Sequence, residues 1–317
     1  MRRLVLCTAF WALSFPVMKA LALTQQNLLP QSGSWFFTSL SVAYRFGLAG
    51  SLLLLLLGFR QARTLRWLEA EQGIVLALFG GVGILFQMDG LAYTSASTSA
   101  FLTQGYCIFI PVWLALVHRQ WPTRKTLLCI ALVVAGVAVL AGINSHSLRL
   151  GRGEIETLLA SLLFTGQILN LEHPRYAANR PLCFTAVMLL GIALVAVPFV
   201  LVTAPDAAAC LRAYASPAAC GFQLVIVLFC TLAAYLLMNI WQRRVTATEA
   251  GLIYCAEPVF ASLLALFLPG IFSVWAGIHY PNETVTARLL LGGGFITAAN
   301  VLLQSRWREG KGVNRES

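Results

Sequence analysis

The sequence predicts an all-α integral membrane protein with ten transmembrane helices, arranged as two inverted five-helix repeats. Three observations support this prediction: a low content of charge, ten apolar segments of spanning length, and an internal repeat. Of the 317 residues, 59% are hydrophobic and only 11% are charged, whereas about 25% of the residues are charged in a typical soluble domain. Because so few charges cannot coat a globule in water, lipid is the expected solvent.

Ten segments are apolar enough to cross a bilayer, since a transmembrane helix needs about 20 mainly apolar residues. The mean hydropathy of the chain, +0.78, reflects the same segments. In chain order they are 4–23, 35–58, 73–93, 97–117, 124–143, 155–171, 182–203, 219–241, 247–268 and 286–304. The sixth is the shortest of the ten.

The basic residues predict the orientation, because cytoplasmic loops carry the excess of lysine and arginine. With a cytoplasmic N-terminus, 16 of the 22 lysines and arginines fall in inner segments and four in outer segments, while Lys19 and Arg45 lie within spans. This bias explains the net charge of +10 without nucleic acid as a partner. The first segment also resembles a signal peptide ending at Ala20-x-Ala22, but Lys19 fits poorly before such a site and cleavage would break the repeat.

The chain contains two copies of one unit. Residues 90–116 align with 241–266 at an offset of 151, which pairs Tyr106 with Glu257, and the fifth and tenth spans align at an offset of 163. Each copy has five spans, and an odd number makes the second copy enter the membrane from the opposite side. Inverted repeats are a transporter architecture with the substrate near the midplane. The predicted parts are a first repeat, 1–143, an outer linker, 144–152, a second repeat, 153–304, and a cytoplasmic tail, 305–317.

Five motifs follow one another along almost the whole chain: "FWALSFPVMK" (10–19), "YRFGLAG" (44–50), "YTSASTSAFL" (93–102), "GEIETLLASLLFTGQ" (153–167) and "AEPVFASLLALFL" (256–268). In this order and spacing they resemble the EamA family of the drug/metabolite transporter superfamily. The resemblance implies transport of small metabolites, most often export of amino acids or related compounds. The chain departs from the family pattern at Cys107, where proline is frequent, in the missing Gly-Glu after the fourth and ninth spans, and in a longer loop between spans nine and ten.

Four charged residues lie within spans, where a charge is costly and usually faces a cavity or a partner. Arg45 and Glu257 lie near the middle of their spans, and Lys19 and Asp89 lie about six residues farther out. These depths predict two opposite-charge pairs, Arg45 with Glu257 and Lys19 with Asp89. The pairs could either hold helices together or take part in binding and coupling.

Two prolines are candidate helix breaks, Pro16 in the first span and Pro258 beside Glu257. A proline removes a backbone donor and frees a carbonyl in the previous turn. In a membrane such a freed group must face protein or a water-filled cavity. The sequence therefore predicts a kinked ninth helix that lines a central cavity with Glu257, although a tolerated proline and an ion-paired glutamate would also explain the pattern.

Further side chains offer polar tips and aromatic walls, the usual lining of a small-molecule site. Each of them alone could equally be packing. The candidates are Trp11, Phe15, Gln104, Tyr106 and Tyr254, together with Gln87 and Asn239, which lie at nearly equivalent places in the two repeats.

Signatures of catalysis, phosphate binding and paired-cysteine metal sites are absent from the sequence. We therefore expect no enzyme activity, cofactor or metal, and any uphill transport would use a gradient, with the proton as a candidate coupling ion. The expected partners are a small molecule and membrane lipid, with the oligomeric state left open. The expected location is the bacterial inner (plasma) membrane. Cys210 and Cys220 flank an outer loop and are expected as two thiols, although a disulfide is an alternative. A non-transporting lipid-handling or receptor-like membrane protein is the alternative function.

The predicted topology places residues 60–72, 118–125 and 305–317 in the cytoplasm, because the basic residues concentrate there. Single cysteines introduced into these segments should react with a membrane-impermeant reagent only after the cells are opened. Labelling of the tail from outside intact cells would contradict the topology.

Overall fold

The computed structural model is helical, and no strand occurs among the residues that it describes. The described residues are 2–62, 64–117, 119, 124–140, 150–245, 250, 253, 254 and 256–304. The predicted tail 305–317 and most of the predicted linker 144–152 lie outside them. In the first part of the chain the helices are α1 (Arg2–Leu28), α2 (Ser34–Ala62), α3 (Trp67–Tyr93), α4 (Ala96–Thr103), α5 (Tyr106–Val117), α6 (Arg124–Leu140) and α7 (Arg152–Leu171).

The second part of the chain is more often interrupted. Its helices are α8 (Pro181–Thr203), α9 (Ala209–Arg212), α10 (Pro217–Val225), α11 (Ala234–Trp241), α12 (Glu257–Ala265), α13 (Leu268–Ala276) and α14 (Ala287–Gln304). A π-helical segment, Ile226–Ala233, joins α10 to α11, and 3-10 turns occupy Pro174–Tyr176 and Gln242–Arg244. Cys210 and Cys220 are both free thiols.

Helical structure overlaps each of the ten predicted spans, but fewer are long and apolar enough to cross a membrane by themselves. Within the described residues six helical stretches meet that requirement, and a seventh is added if α12 and α13, which bend by 51° at their junction, form one broken span. The six are Arg2–Leu28, Ser34–Gly58, Trp67–Tyr93, Ala96–Val117, Pro181–Thr203 and Pro217–Arg244. The apolar parts of α6 and α14 are shorter, at Leu127–Gly136 and Ala287–Ala299. A count of ten spans therefore stays a prediction.

The helices pack into one bundle whose outer surface is apolar. α2 packs against α8, α3 against α7 and α8, α6 against α14, and α1 against α10, α11 and α12. Large apolar side chains such as Leu194, Leu201 and Val202 are 70%, 76% and 86% exposed on α8. An apolar patch of this kind is unfavourable in water and suits a surface that faces lipid.

The two prolines predicted as helix breaks behave differently. Pro16 lies inside α1, which continues through it from Arg2 to Leu28, so the prediction of a break there is wrong. The surrounding helices bury this part of α1, and a buried helix can tolerate a proline when its neighbours hold the backbone in place. Pro258 lies in the first turn of α12, which begins at Glu257. There its missing N–H is one that a helix start leaves unpaired in any case.

Close helix contact at one seam depends on glycine. A Cβ atom added to Gly153 of α7 would lie 2.7 Å from the carbonyl oxygen of Gly90 on α3, and a Cβ on Gly90 would lie 2.9 Å from the carbonyl oxygen of Gly153. Both distances are shorter than a carbon and an oxygen tolerate. Small residues of this kind allow two membrane helices to approach until their backbones touch.

We expect Gly153→Ala to destabilise the protein by about 1–3 kcal/mol, because the new methyl group forces α3 and α7 apart. Thermal unfolding in detergent measures the effect. Gly294→Ala in α14 is the matched control, since a Cβ there meets nothing within 4 Å and alanine favours a helix over glycine. Equal melting temperatures for the two variants would show that the contact between α3 and α7 at Gly153 has room for a methyl group.

Candidate functional site

A cavity lies at the centre of the bundle, between helices of the two sequence repeats. The volume accessible to the centre of a water-sized sphere is about 60 Å³. This is enough space for a few water molecules. The lining residues are Trp11, Ser14, Arg45, Ile84, Gln87, Thr103, Tyr106, Phe164, Gln167, Ile168, Tyr235, Met238, Tyr254 and Glu257. Predicted candidates among them are Trp11, Arg45, Gln87, Tyr106, Tyr254 and Glu257.

The lining follows the sequence repeat. Thr103 and Tyr106 lie 151 positions before Tyr254 and Glu257, so the fourth and ninth segments contribute equivalent positions. The same offset relates further lining pairs on α3 and α11, and an offset of 153 relates pairs on α1 and α7. These pairs are Ile84 with Tyr235, Gln87 with Met238, Trp11 with Phe164 and Ser14 with Gln167. Each repeat therefore contributes about half of the wall, but with different chemistry at equivalent positions.

Glu257 meets the other repeat where helices are interrupted on both sides. α4 ends at Thr103 and α5 begins at Tyr106, the residue that the repeat pairs with Glu257 at the start of α12. The side-chain amide of Gln104, in the gap between α4 and α5, donates to Glu257 Oε2 at 3.1 Å. Gln104 Oε1 accepts from the Tyr106 hydroxyl at 3.0 Å. A chain of hydrogen bonds thus joins the two helix starts, even though Cys107 replaces the proline that is frequent in the first repeat.

Arg45 is held by the π-helical segment. Its guanidinium donates to the Thr231 hydroxyl and to the carbonyl oxygen of Cys230 at 2.9 Å, and it contacts Met18 Sδ at 3.1 Å. The Thr231 hydroxyl in turn donates to the carbonyl oxygen of Ile226 at 2.8 Å. Short π-helical segments occur frequently at functional sites. Here the segment supplies oxygen acceptors for a charge that is only 1% exposed.

The predicted ion pair between Arg45 and Glu257 does not form, although both residues line the same cavity. α2, which carries Arg45, packs against the π-helical segment, whereas α12 packs against α1 and α4. Each charge therefore meets neutral hydrogen-bonding groups on its own neighbours before it reaches the other charge.

The predicted pair of Lys19 with Asp89 does not form either. The Lys19 ammonium donates to the carbonyl oxygen of Thr94, at the end of α3, and Asp89 pairs with Arg152 at the start of α7. The two residues lie at similar depths along their spans, but α3 packs far more extensively against α7 than against α1, and Asp89 meets Arg152 there. Neither residue lines the central cavity.

Of the remaining candidates, some line the cavity and others lie in the core around it. Trp11 makes edge contacts with Tyr254 and Tyr235, at ring-centre distances of 5.2 and 5.9 Å. Phe15 is 1% exposed in the apolar core, and Asn239 donates to the Thr185 hydroxyl at 2.8 Å, so neither lines the cavity. Gln104 does not line the cavity itself, but it donates a hydrogen bond to Glu257, which does.

Sequence reasoning missed several polar lining residues. Ser14, Thr103, Gln167 and Tyr235 all lie on the wall. All four are repeat equivalents of other lining residues: Ser14 and Gln167 of each other, Thr103 of Tyr254, and Tyr235 of Ile84. Applying the offsets to every candidate would have identified Thr103 from Tyr254.

Comparison with known proteins identifies the family. Residues 4–142 and 175–278 match the EamA-like transporter family. The chain belongs to this family. It is 24% identical over 233 residues to a protein of Archaeoglobus fulgidus described as an uncharacterized transporter, a match that covers 74% of this chain and 70% of that one. A protein of known crystal structure shares the fold over 96% of this chain and 98% of its own, with a TM-score of 0.58 and 14% identity.

The EamA family and the transporter relative make this chain an integral membrane transporter, which acts on a small molecule in a lipid environment. The loop between α13 and α14 lies beside the start of α4. Glu283 in this loop accepts from the backbone N–H of Ala96 at 2.8 Å and from the Ser97 hydroxyl. A carboxylate at a helix N-terminus is favourable, so the loop is fastened to the first repeat.

We expect Gln104→Leu to lower the free energy of unfolding by about 1–3 kcal/mol, because the buried Glu257 carboxylate loses its amide donor. Thermal melts of Gln104→Leu, Glu257→Gln and the double variant measure the coupling. The double variant should lose less than the sum of the single variants. Gln26→Leu, on an exposed glutamine of α1, is the control. Additive losses would show that Gln104 and Glu257 do not depend on each other.

Proposed function

We propose that the protein is a secondary-active exporter of amino acids or related compounds, which works by alternating access around the central cavity. The observation that carries the proposal is the wall of that cavity. Both sequence repeats supply it at equivalent positions, and it contains one cation, Arg45, and one carboxylate, Glu257. Such a wall belongs to two halves that can rock about a common site.

The helix packing supports two equivalent halves. Counterparts in the two repeats touch each other directly, α2 with α8 and α6 with α14, and α4 of the fourth span touches α12 of the ninth. The contact of α3 with α7 is matched by that of α10 and α11 with α1, and the contact of α1 with α12 is matched by that of α7 with α5. Exchanging the two repeats therefore maps the α2–α8 and α6–α14 contacts onto themselves. It also exchanges the two members of each matched pair of contacts. With five spans in each repeat, the halves would be inverted.

The two charges of the cavity suit a zwitterion. Glu257 would take the substrate's ammonium group, and the faces of Trp11 and Tyr254 beside it would add attraction for a cation. Arg45 would take the carboxylate, with its guanidinium fork as a two-point donor. Because the cavity holds only a few waters in this conformation, the halves must separate to admit a substrate of this size.

Coupling would arise from competition for Glu257. In the structure the carboxylate accepts from Gln104, which bridges the repeats. A substrate ammonium group or a proton that replaces this partner removes the bridge. A ligand shifts a conformational equilibrium only through its different affinity for the two states, and loss of the bridge supplies such a difference.

The proposed location is a bacterial inner membrane with both termini in the cytoplasm, which the excess of basic residues in the inner segments supports. Ion pairs strengthen the same side of the bundle. Arg180 contacts Glu69 at 2.7 Å and Arg175 contacts Glu71 at 2.7 Å, so basic residues that orient the chain also tie the start of α8 to the start of α3.

Glu257→Gln tests the proposal, because it keeps the shape of the side chain and removes its charge. The variant should insert and melt close to the wild type, yet lose at least tenfold in counterflow exchange of a labelled amino acid from a mixed panel in proteoliposomes. That factor corresponds to about 1.4 kcal/mol of lost interaction. Glu172→Gln, at the exposed end of α7, is the control and should exchange like the wild type.

Two outcomes would contradict this assignment. A Glu257→Gln protein with wild-type exchange and an unchanged pH profile would remove the carboxylate from the mechanism. Wild-type protein that exchanges no amino acid or related compound, but shifts its melting temperature with lipids, would favour the lipid-handling alternative.

A further inference from the structure

A second charged cluster lies at the seam of α3 and α7, outside the central cavity. Asp89 and Glu156 share one guanidinium: Arg152 contacts Asp89 Oδ2 and donates from Nε to Glu156 Oε1 at 2.8 Å. The side chains of Asp89 and Glu156 are 0% and 11% exposed. The two carboxyl groups therefore lie side by side on one edge of the same guanidinium, at its Nη2 and Nε atoms.

Each carboxyl group has one oxygen bound to Arg152 and one oxygen left over. Asp89 Oδ1 and Glu156 Oε2 are both buried, and neither has a hydrogen-bond donor among the described residues. A buried acceptor without a donor costs about 1–3 kcal/mol. A proton bound to either group turns one of these acceptors into a donor and removes one negative charge from the buried cluster.

The net charge of the cluster also favours a bound proton. Two carboxylates and one guanidinium leave one negative charge in excess. The other groups that face the cluster do not cancel it: the Tyr93 hydroxyl accepts from Arg152 at 2.8 Å, Lys19 donates to the Thr94 carbonyl, and Glu154 bonds the Thr94 hydroxyl at 3.0 Å. An excess negative charge is costly in a site with little access to water. A single proton makes the cluster neutral.

We propose that Asp89 and Glu156 share one exchangeable proton, which makes the α3–α7 seam a proton-binding site separate from the substrate cavity. Arg152, whose side chain is 44% exposed, links the pair to the solvent. Gly90 and Gly153 hold the two backbones in contact beside the pair, so the carboxyl groups cannot separate unless α3 and α7 slide.

The seam also connects the proton site to the cavity. α3 carries the lining residues Ile84 and Gln87, and α7 carries Phe164 and Gln167. α3 belongs to the first repeat and α7 to the second. A slide of one helix past the other would therefore reshape the cavity wall and change the distance between the carboxyl groups in one movement. The coupling role rests on the proposed transport function, whereas proton binding itself does not.

The test measures the bound proton directly. Infrared difference spectra between acidic and alkaline pH, recorded on the full chain in lipid nanodiscs, detect the C=O stretch of protonated carboxyl groups. The Glu257→Gln protein serves as the background, so that the cavity carboxylate does not contribute. We expect a C=O band that shifts in D₂O and is lost when Asp89→Asn or Glu156→Gln is added. Adding Glu172→Gln instead should leave the band unchanged.

Two results would overturn the proposal: a band that survives both substitutions, or a band displaced by Na⁺ at constant pH, which would indicate a metal-cation site. If Asp89→Asn does not fold, the Glu156→Gln variant and the Na⁺ titration of the Glu257→Gln background protein still test the proposal. A protein that shows the band but exchanges no amino acid would refute the proposed cargo and leave the proton site standing.

Discussion

Burial of polar groups without water is the constraint on which the arrangement of this bundle depends. A charge or a freed backbone group inside a membrane must find its partner within the protein. Arg45 meets this requirement at Thr231 and Cys230, Lys19 at the carbonyl of Thr94, and Glu257 at Gln104. In each case the partner is a neutral oxygen or amide rather than an opposite charge.

This choice of partners has a mechanical consequence. A buried ion pair is expensive to separate, because both charges then lose their partner. A charge held by neutral groups can exchange them for a substrate at a smaller loss. Arg45 and Glu257 line one cavity without pairing with each other, so the zwitterion proposed as substrate would give each of them an opposite charge. The helix starts at Tyr106 and Glu257 would place this exchange at a junction between helices of the two repeats.

Much of this arrangement could be predicted from the chain, and the two wrong ion pairs share one cause. Hydropathy located the helices, and the repeat offset of 151 paired Tyr106 with Glu257 at two helix starts. Distance along a span also gave the depth of Lys19 and Asp89. Depth does not say which way a side chain points around its helix, and the two predicted ion pairs were wrong for that reason. Arg152, the partner of Asp89, lies in the first two turns of α7 together with Glu156, which contacts the same guanidinium. In the sequence Arg152 falls in the predicted outer linker and Glu156 in a family motif, and neither pattern singles out these residues as partners.

Equivalent positions that carry different residues give the two halves separate tasks. Where the second repeat has Glu257, the first has Tyr106, so only one side of the cavity presents a carboxylate. Gln104 of the first repeat then serves as the partner of that carboxylate. The acidic pair at the seam joins Asp89 of the first repeat to Glu156 of the second. In the proposed alternating-access cycle, these unequal side chains would decide which conformation a bound ligand or proton favours, since only differential binding can shift the balance.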